Sequence, residues 1–187
     1  MLSNHIKEAT KAPHQQLEVV VVKKLKSIRS KADYADLLKY FYAYFCKVEQ
    51  AVAPYITTEV LSDYTERRNS SYIKSDIEAL GESVETLPHA VAPGIVNTIS
   101  ALGALYVLEG SIMGGRIIVQ MLEKGGITEG ISFFSGYGEA TGLMWQRFVE
   151  VLNCYAPTED DEAQAIAAAN ATFKQFGDVF ERAAVSA

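Results

Sequence analysis

The segment LEGSIMGGR, Leu108 to Arg116, places three glycines within six positions of an otherwise helical stretch. Each glycine inside a helix costs about 1 kcal/mol relative to alanine, so a cluster of three requires compensation. Gly110 and Gly114 are four residues apart and share one helix face. Three explanations stay open: close packing against another helix, a kink, or a face where a flat ligand approaches the backbone. The segment does not favour a phosphate-binding loop, because it lacks the Gly-Lys-Ser/Thr ending of that motif.

The rest of the chain is also predicted to be helical, because its apolar residues recur at spacings of three and four. The best-marked helix runs from Lys31 to Val52, with Ser30 and Asp33 as its N-terminal cap. The glycine cluster falls in a long helix from about Gly94 to Lys124. Further helices are expected over about 64–80 and 139–154, with a last one opened by the acidic run 159–162. We predict a single all-α domain over residues 1–187, a bundle of six to eight helices.

Composition narrows the class of protein. Lys and Arg number 17 against 23 Asp and Glu, for a net charge of −6, and such an acidic surface is a poor match for nucleic acid. No basic-then-apolar leader and no uninterrupted apolar run of membrane-spanning length are visible, which predicts a soluble cytoplasmic protein. Cys46 and Cys154 form no CxxC pair and sit among apolar neighbours, so buried, reduced thiols are expected.

A second notable segment is KEATKAPHQQLE, Lys7 to Glu18, in which Pro13 directly precedes His14. If one helix spans the segment, Pro13 must kink it. If a new helix begins at Thr10 as N-cap, Pro13 falls at the third helical position, where an N–H has no partner within the helix. The second arrangement costs less free energy. By its own surroundings, His14 is either a structural or surface histidine or a ligand.

Together these segments resemble the heme oxygenase family. That family has a Lys-Glu-Ala-Thr-like start, a histidine seven residues after the lysine and a glutamate four residues later, which Lys7, His14 and Glu18 match. Its Gly-x-x-x-Gly-Gly element is matched in YVLEGSIMGGRII, residues 106–118, in a form similar to the bacterial branch associated with phytochromes. FFSGYGEATGLMWQRF, residues 133–148, and the terminal ATF, residues 171–173, extend the likeness over nearly the whole chain.

The resemblance implies a heme oxygenase fold and an enzyme that converts haem to biliverdin, carbon monoxide and ferrous iron with O2. Haem would be both substrate and cofactor. His14 would bind the haem iron, and Glu18 would orient the ring or a water. Ferredoxin or a reductase would supply electrons. Both iron acquisition and bilin supply to a photoreceptor would suit such an activity.

The resemblance also implies a distal wall and a set of contacts around the haem. The distal wall and its water network would be formed by Gly110, Ser111, Gly114 and Gly115. The remaining haem contacts would come from Lys7, Lys11, Arg147 and Phe173, with the cations on the haem propionates. One departure is Ser111, since many members of the family carry an aspartate after the first distal glycine.

Other functions remain open at this stage. The missing aspartate favours a haem-binding protein for storage, transfer or sensing that does not degrade its ligand. A thiaminase-like hydrolase on a related helical fold would need a nucleophilic cysteine in a polar pocket. An interaction module without a small ligand would use its glycines only for packing.

Overall fold

Nine α-helices and no β-strand make up the regular structure over residues 1–185, which the computed structural model describes. This confirms the all-α prediction. Two short 3-10 turns accompany the helices, at Tyr64–Glu66 and Gly138–Ala140. The helices are α1 Leu2–Ala9, α2 Lys11–Ser27, α3 Lys31–Val52, α4 Ser70–Ala79, α5 Thr98–Gly110, α6 Ile112–Lys124, α7 Ser132–Ser135, α8 Thr141–Tyr155 and α9 Glu159–Val185.

Helix α3 has the bounds that the sequence predicts. The Ser30 side chain accepts a hydrogen bond from the Asp33 amide at 3.1 Å, which satisfies one of the free N–H groups at the helix start. One face of α3 is buried along its whole length, including Leu37, Tyr44 and Val48. The capping residues and the apolar stripe therefore determine this helix locally.

The predicted helix over Gly94–Lys124 is wrong in two respects. It begins only at Thr98, because the Asn97 and Ser100 side chains form a reciprocal capping box there. It is also interrupted at Ser111, which separates α5 from α6. A similar interruption at Thr10 separates α1 from α2. These two breaks help raise the number of helices in the described residues above the predicted six to eight.

The predicted helix over 64–80 is also divided. Asn69 caps α4 by accepting the Ser71 amide at 3.0 Å, so this helix starts six residues later than expected. Arg67 and Arg68, just before the cap, are both buried and donate hydrogen bonds to other parts of the fold. These long-range hydrogen bonds hold Arg67 and Arg68 in a non-helical segment, so the helix cannot extend back through them.

Helices α5 and α9 pack closely along the centre of the protein. A Cβ atom added at Gly103 would lie 2.2 Å from the Ala165 carbonyl oxygen, so the two backbones approach more closely than a side chain would allow. Phe133, Phe148 and Tyr34 are among the largest fully buried side chains of the surrounding core. The core thus holds α5 in place before α6 departs from it.

The apolar segment Thr98–Lys124 is long enough to cross a membrane by composition, but half of its most apolar window is buried in the protein, as in a core helix. The expectation of buried thiols is wrong for Cys154, which is exposed, while Cys46 is partly exposed; both are free. The buried stripe of α8 is Met144, Phe148 and Leu152, and Cys154 falls outside its spacing.

Candidate functional site

His14 is the fourth residue of α2, the helix that begins directly after the break at Thr10. Thr10 is the N-cap of α2, and its carbonyl accepts the His14 amide at 3.0 Å. Its hydroxyl does not cap the helix, but donates to the Ile6 carbonyl at 2.7 Å. Pro13 therefore occupies the third helical position, which confirms the less costly of the two predicted arrangements.

The His14 imidazole is exposed yet held against the protein. Leu17, Val21 and Leu25 form the buried stripe of α2, and His14 extends this stripe by one turn toward the surface. The imidazole packs against the buried ring of Phe173 on α9, with ring centroids 5.3 Å apart. Glu18 is exposed one turn further on. Between residues 1 and 185, no hydrogen bond joins it to His14.

The three glycines of the cluster have three different surroundings. A Cβ atom at Gly115 would lie 2.1 Å from the Phe134 carbonyl oxygen, so this glycine is required by packing against α7. A Cβ atom at Gly114 would meet nothing within 4 Å. At Gly110 it would make ordinary contact with the Trp145 ring at 3.5 Å. Packing within the protein thus explains why residue 115 is glycine, but it does not explain why residue 114 is glycine.

Apolar side chains around Gly114 are exposed. Met113 and Ile117, one and three residues from Gly114 on α6, are 54% and 64% exposed. Helix α6 contacts α2, the helix that carries His14. An accessible imidazole and an apolar, glycine-containing helix surface therefore lie on neighbouring elements, and exposed apolar surface of this kind marks binding sites.

The Ser111 hydroxyl is engaged within the protein. It donates to the Leu108 carbonyl at 2.6 Å and accepts a hydrogen bond from the Arg68 guanidinium at 2.5 Å. Its only proton is thus already used, which leaves at most acceptor capacity for a water. The sequence predicted Ser111 as a water anchor, but did not predict Arg68 as its partner.

A buried charged cluster lies beneath the break between α5 and α6. Arg67 binds the Asp63 carboxylate through Nε at 2.7 Å and the Glu109 carboxylate through Nη1 at 2.5 Å. Burial raises the pKa of Glu109, and burial also lowers the pKa of the neighbouring Arg68 to about 10. Arg68 therefore remains a cation at neutral pH. Sequence reasoning missed these residues, and their only signal was an arginine pair close to Asp63.

The three cations predicted to bind the haem propionates differ in whether an acidic side chain lies near them. Lys7 and Lys11 are exposed on α1 and α2, on either side of Thr10, and form no ion pair within the described part of the chain. The half-exposed Arg147 side chain has its Nη1 3.9 Å from the Asp63 carboxylate. It lines a polar cavity of about 510 Å³ together with Glu66. The two lysines therefore have no acidic partner within the described residues, whereas Arg147 has Asp63 nearby.

A second cavity, of about 400 Å³, is lined by Glu49, Tyr64, Arg68 and Glu109 among others. Neither this cavity nor the one at Arg147 is lined by His14 or by Gly110, Gly114 and Gly115. The candidate site at His14 therefore lies outside these two cavities.

Comparison with known proteins gives one consistent family. A sequence model of the heme oxygenase family matches residues 1–182. The chain is 31% identical to a heme oxygenase of Xanthomonas campestris over 145 residues, covering 76% of this chain and 86% of that protein. It is 25% identical to heme oxygenase PigA of Pseudomonas aeruginosa over 186 residues, covering 96% and 91%. The fold matches the NO- and CO-bound heme oxygenase of Neisseria meningitidis with a TM-score of 0.83 at 22% identity, covering 97% and 91% of the two chains.

Proposed function

This chain belongs to the heme oxygenase family, and from that premise we propose that it cleaves haem to biliverdin, carbon monoxide and ferrous iron. The observation that carries the proposal is the exposed His14 imidazole, held against Phe173 on a helix that contacts α6 and its exposed apolar side chains. Haem is at once the substrate and the group that activates O2, so the protein supplies binding, orientation and control of water.

His14 is proposed as the ligand of the haem iron. A neutral imidazole is a common axial ligand, and an exposed ring fixed at one edge can approach a planar macrocycle. Phe173 limits rotation of the ring, as outer contacts of a metal ligand do. Glu18, one turn later, is proposed to orient the imidazole or a bound water once haem is present.

The opposite wall is proposed to be the glycine face, formed by Gly110 and Gly114. Gly114 has open space where a side chain would lie, so its backbone is free to contact the macrocycle. Exposed Met113 and Ile117 would cover apolar parts of the porphyrin and exclude water from them. Gly115 contributes indirectly, because it seats α6 against α7.

Lys7 and Lys11 are proposed to bind the haem propionates. Lys7 lies in the last turn of α1 and Lys11 begins α2, the helix of His14, and neither has an acidic partner within residues 1–185. Charge-assisted hydrogen bonds to carboxylates are the expected use of such cations. Arg147, half exposed on a helix that contacts α1, would have to leave the Asp63 carboxylate, 3.9 Å from its Nη1, to join them.

The electron donor is proposed to be an acidic protein such as a ferredoxin or a reductase. Residues 1–31 carry seven Lys and Arg and only two Glu, although the whole chain is acidic. This basic region forms α1, α2 and the start of α3, and it includes the helix of His14. Complementary charge would guide an acidic donor to the face of the haem that His14 is proposed to ligate.

A second candidate function is haem binding without degradation. It is favoured by one observation, that the Ser111 hydroxyl has no free proton for a distal water. Such a protein would bind haem through the same residues and would store, transfer or sense it.

One experiment separates the two functions. Hemin is titrated into the purified protein and the Soret band is recorded; then ferredoxin, its reductase and NADPH are added under air. Loss of the Soret band with the appearance of biliverdin supports the enzyme, whereas a stable ferrous complex supports the binding protein. Unchanged hemin binding in His14→Ala would overturn both, because each depends on that ligand.

A further inference from the structure

We propose that Arg68 is a positioning residue that holds the bend between α5 and α6 and so sets where the glycine face lies over the haem. This inference rests on the proposed function for its consequence, but its structural part concerns the protein without haem. Arg68 contacts neither the proposed ligand His14 nor the glycines, and it acts through the two segments that it joins.

Arg68 differs from its neighbour Arg67 in its partners. Arg67 forms ion pairs with Asp63 and Glu109, which account for its burial. Arg68 is only 7% exposed, yet none of the ion pairs within the described residues includes it. Its Nε has no hydrogen-bond partner. Burying a cation without an acid bonded directly to it carries a large desolvation cost. The neutral acceptors that bind Arg68 must offset part of that cost, which indicates that the guanidinium has a structural role.

The first set of contacts lies at the helix break. Nη2 of Arg68 donates to the Leu108 carbonyl at 3.1 Å and to the Ser111 hydroxyl at 2.5 Å. In a continuous helix the Leu108 carbonyl would accept the amide of residue 112, where α6 begins. Here it accepts the Arg68 guanidinium and the Ser111 hydroxyl. Arg68 thus supplies a donor at the point where the helix changes course.

The second set of contacts reaches the segment that supports α6. Nη1 of Arg68 donates to the Phe133 carbonyl at 2.9 Å, and the guanidinium lies 4.0 Å from the centroid of the Phe133 ring. The next residue, Phe134, has the carbonyl oxygen against which Gly115 packs. One guanidinium therefore fixes the helix break and α7 relative to each other, and the seating of Gly115 depends on both.

The expected consequence concerns the position of the haem more than its affinity. Gly110 and Gly114 flank the break, so a change in its angle would move the glycine face relative to His14. Movement of that wall would change which meso carbon of the porphyrin is exposed to oxygen. Without Arg68, we expect a wider distribution of biliverdin isomers and a more mobile start of α6.

The test compares Arg68→Met, which removes the donors at similar length, with Arg68→Lys, which keeps the charge but not the fork. Asn97→Ala serves as control, because it removes a cap at the opposite end of α5. In the haem-free proteins, hydrogen exchange is measured at the amides of residues 115–119, the first of α6 that can bond within the helix. The emission of Trp145, the sole tryptophan and a neighbour of Gly110, is recorded as well. In the haem complexes, biliverdin isomers are separated by chromatography.

For Arg68→Met, protection at residues 115–119 should fall about 10-fold, as expected for loss of a hydrogen bond to a charged group. Trp145 emission should shift, and additional isomers should form. Arg68→Lys should lie between Arg68→Met and wild type, and it decides the question if Arg68→Met does not fold. The proposal is overturned if both variants match wild type in exchange and isomers, or if Asn97→Ala produces the same changes. If wild type forms no biliverdin, the proposed function fails, while exchange and emission still test the role of Arg68.

Discussion

The imidazole of His14 packs against the phenyl ring of Phe173, with ring centroids 5.3 Å apart and ring planes inclined by 44°. The two residues lie on α2 and α9, far apart in the sequence. Phe173 is buried, and His14 is exposed. The contact therefore fixes an accessible imidazole from one side, as the proposed ligation of the haem iron requires.

Phe173→Leu should weaken hemin binding by about 10-fold, the lower end of the loss that follows removal of outer support from a metal ligand. The ring of His14 would gain rotational freedom that binding must then remove. Hemin titration followed at the Soret band measures the affinity. Phe180→Leu, a buried aromatic change elsewhere on α9, is the control and should keep wild-type affinity. Equal losses in the two variants would contradict the proposed contact.

Gly114→Ala and Gly115→Ala should have opposite effects on stability. Alanine at residue 114 has open space, so it should raise the free energy of unfolding of the haem-free protein by about 0.5–1 kcal/mol. Alanine at residue 115 would meet the Phe134 carbonyl oxygen and should lower it by about 1–3 kcal/mol. Urea unfolding measures both values.

The same Gly114→Ala variant should bind hemin more weakly, since its methyl group would occupy the surface proposed for the porphyrin. Misfolding could not explain a loss of hemin affinity in a variant that is more stable than wild type. Unchanged affinity in Gly114→Ala would remove Gly114 from the proposed site.

Lys7→Gln and Lys11→Gln should each reduce hemin affinity by about 2- to 5-fold, the usual value of an exposed charge pair. The reduction should shrink as salt concentration rises, because exposed charges are screened. Lys47→Gln, an exposed lysine on α3, is the control. Affinities that do not differ from the control at low salt would show that other groups hold the propionates.

Glu49→Gln should change how stability depends on pH. Burial raises the pKa of Glu49 above its ordinary 4.5, although its carboxylate accepts hydrogen bonds from the amide and hydroxyl of Ser70. The folded protein therefore binds this proton more tightly than the unfolded chain. The stabilising contribution is complete below pH 4.5 and is lost as pH rises through the raised pKa.

Glutamine cannot titrate, so the free energy of unfolding of Glu49→Gln minus that of wild type should increase with pH over this interval and then level off. Urea unfolding of both proteins between pH 4 and pH 8 measures the difference. A difference that is constant with pH would contradict the raised pKa. Asp33→Asn provides a contrast when unfolding is also measured below pH 4: hydrogen bonds lower the pKa of Asp33 below its ordinary 3.8, so its stabilising contribution is lost as pH falls and the effect has the opposite sign.

Local features of the sequence predicted much of the fold. The cap at Ser30 and the apolar stripe after it defined α3 to the residue. Thr10 and Pro13 predicted the start of α2, since proline is tolerated where a helix has unpaired N–H groups. Gly125 and Gly126 ended α6 as expected. These features depend on interactions between residues within a few positions of each other, which a sequence displays directly.

The sequence by itself thus determined that the protein is helical, where several helices begin and end, and which motifs to compare with a known family. The tertiary structure decided that Gly115 serves packing while Gly114 faces open space, and that the Ser111 hydroxyl bonds to Arg68. It also placed Arg147 at Asp63 and paired His14 with Phe173. Each of these depends on contacts between residues that are distant in the chain. The type and spacing of residues along a helix do not show which side chains of other helices will pack against it.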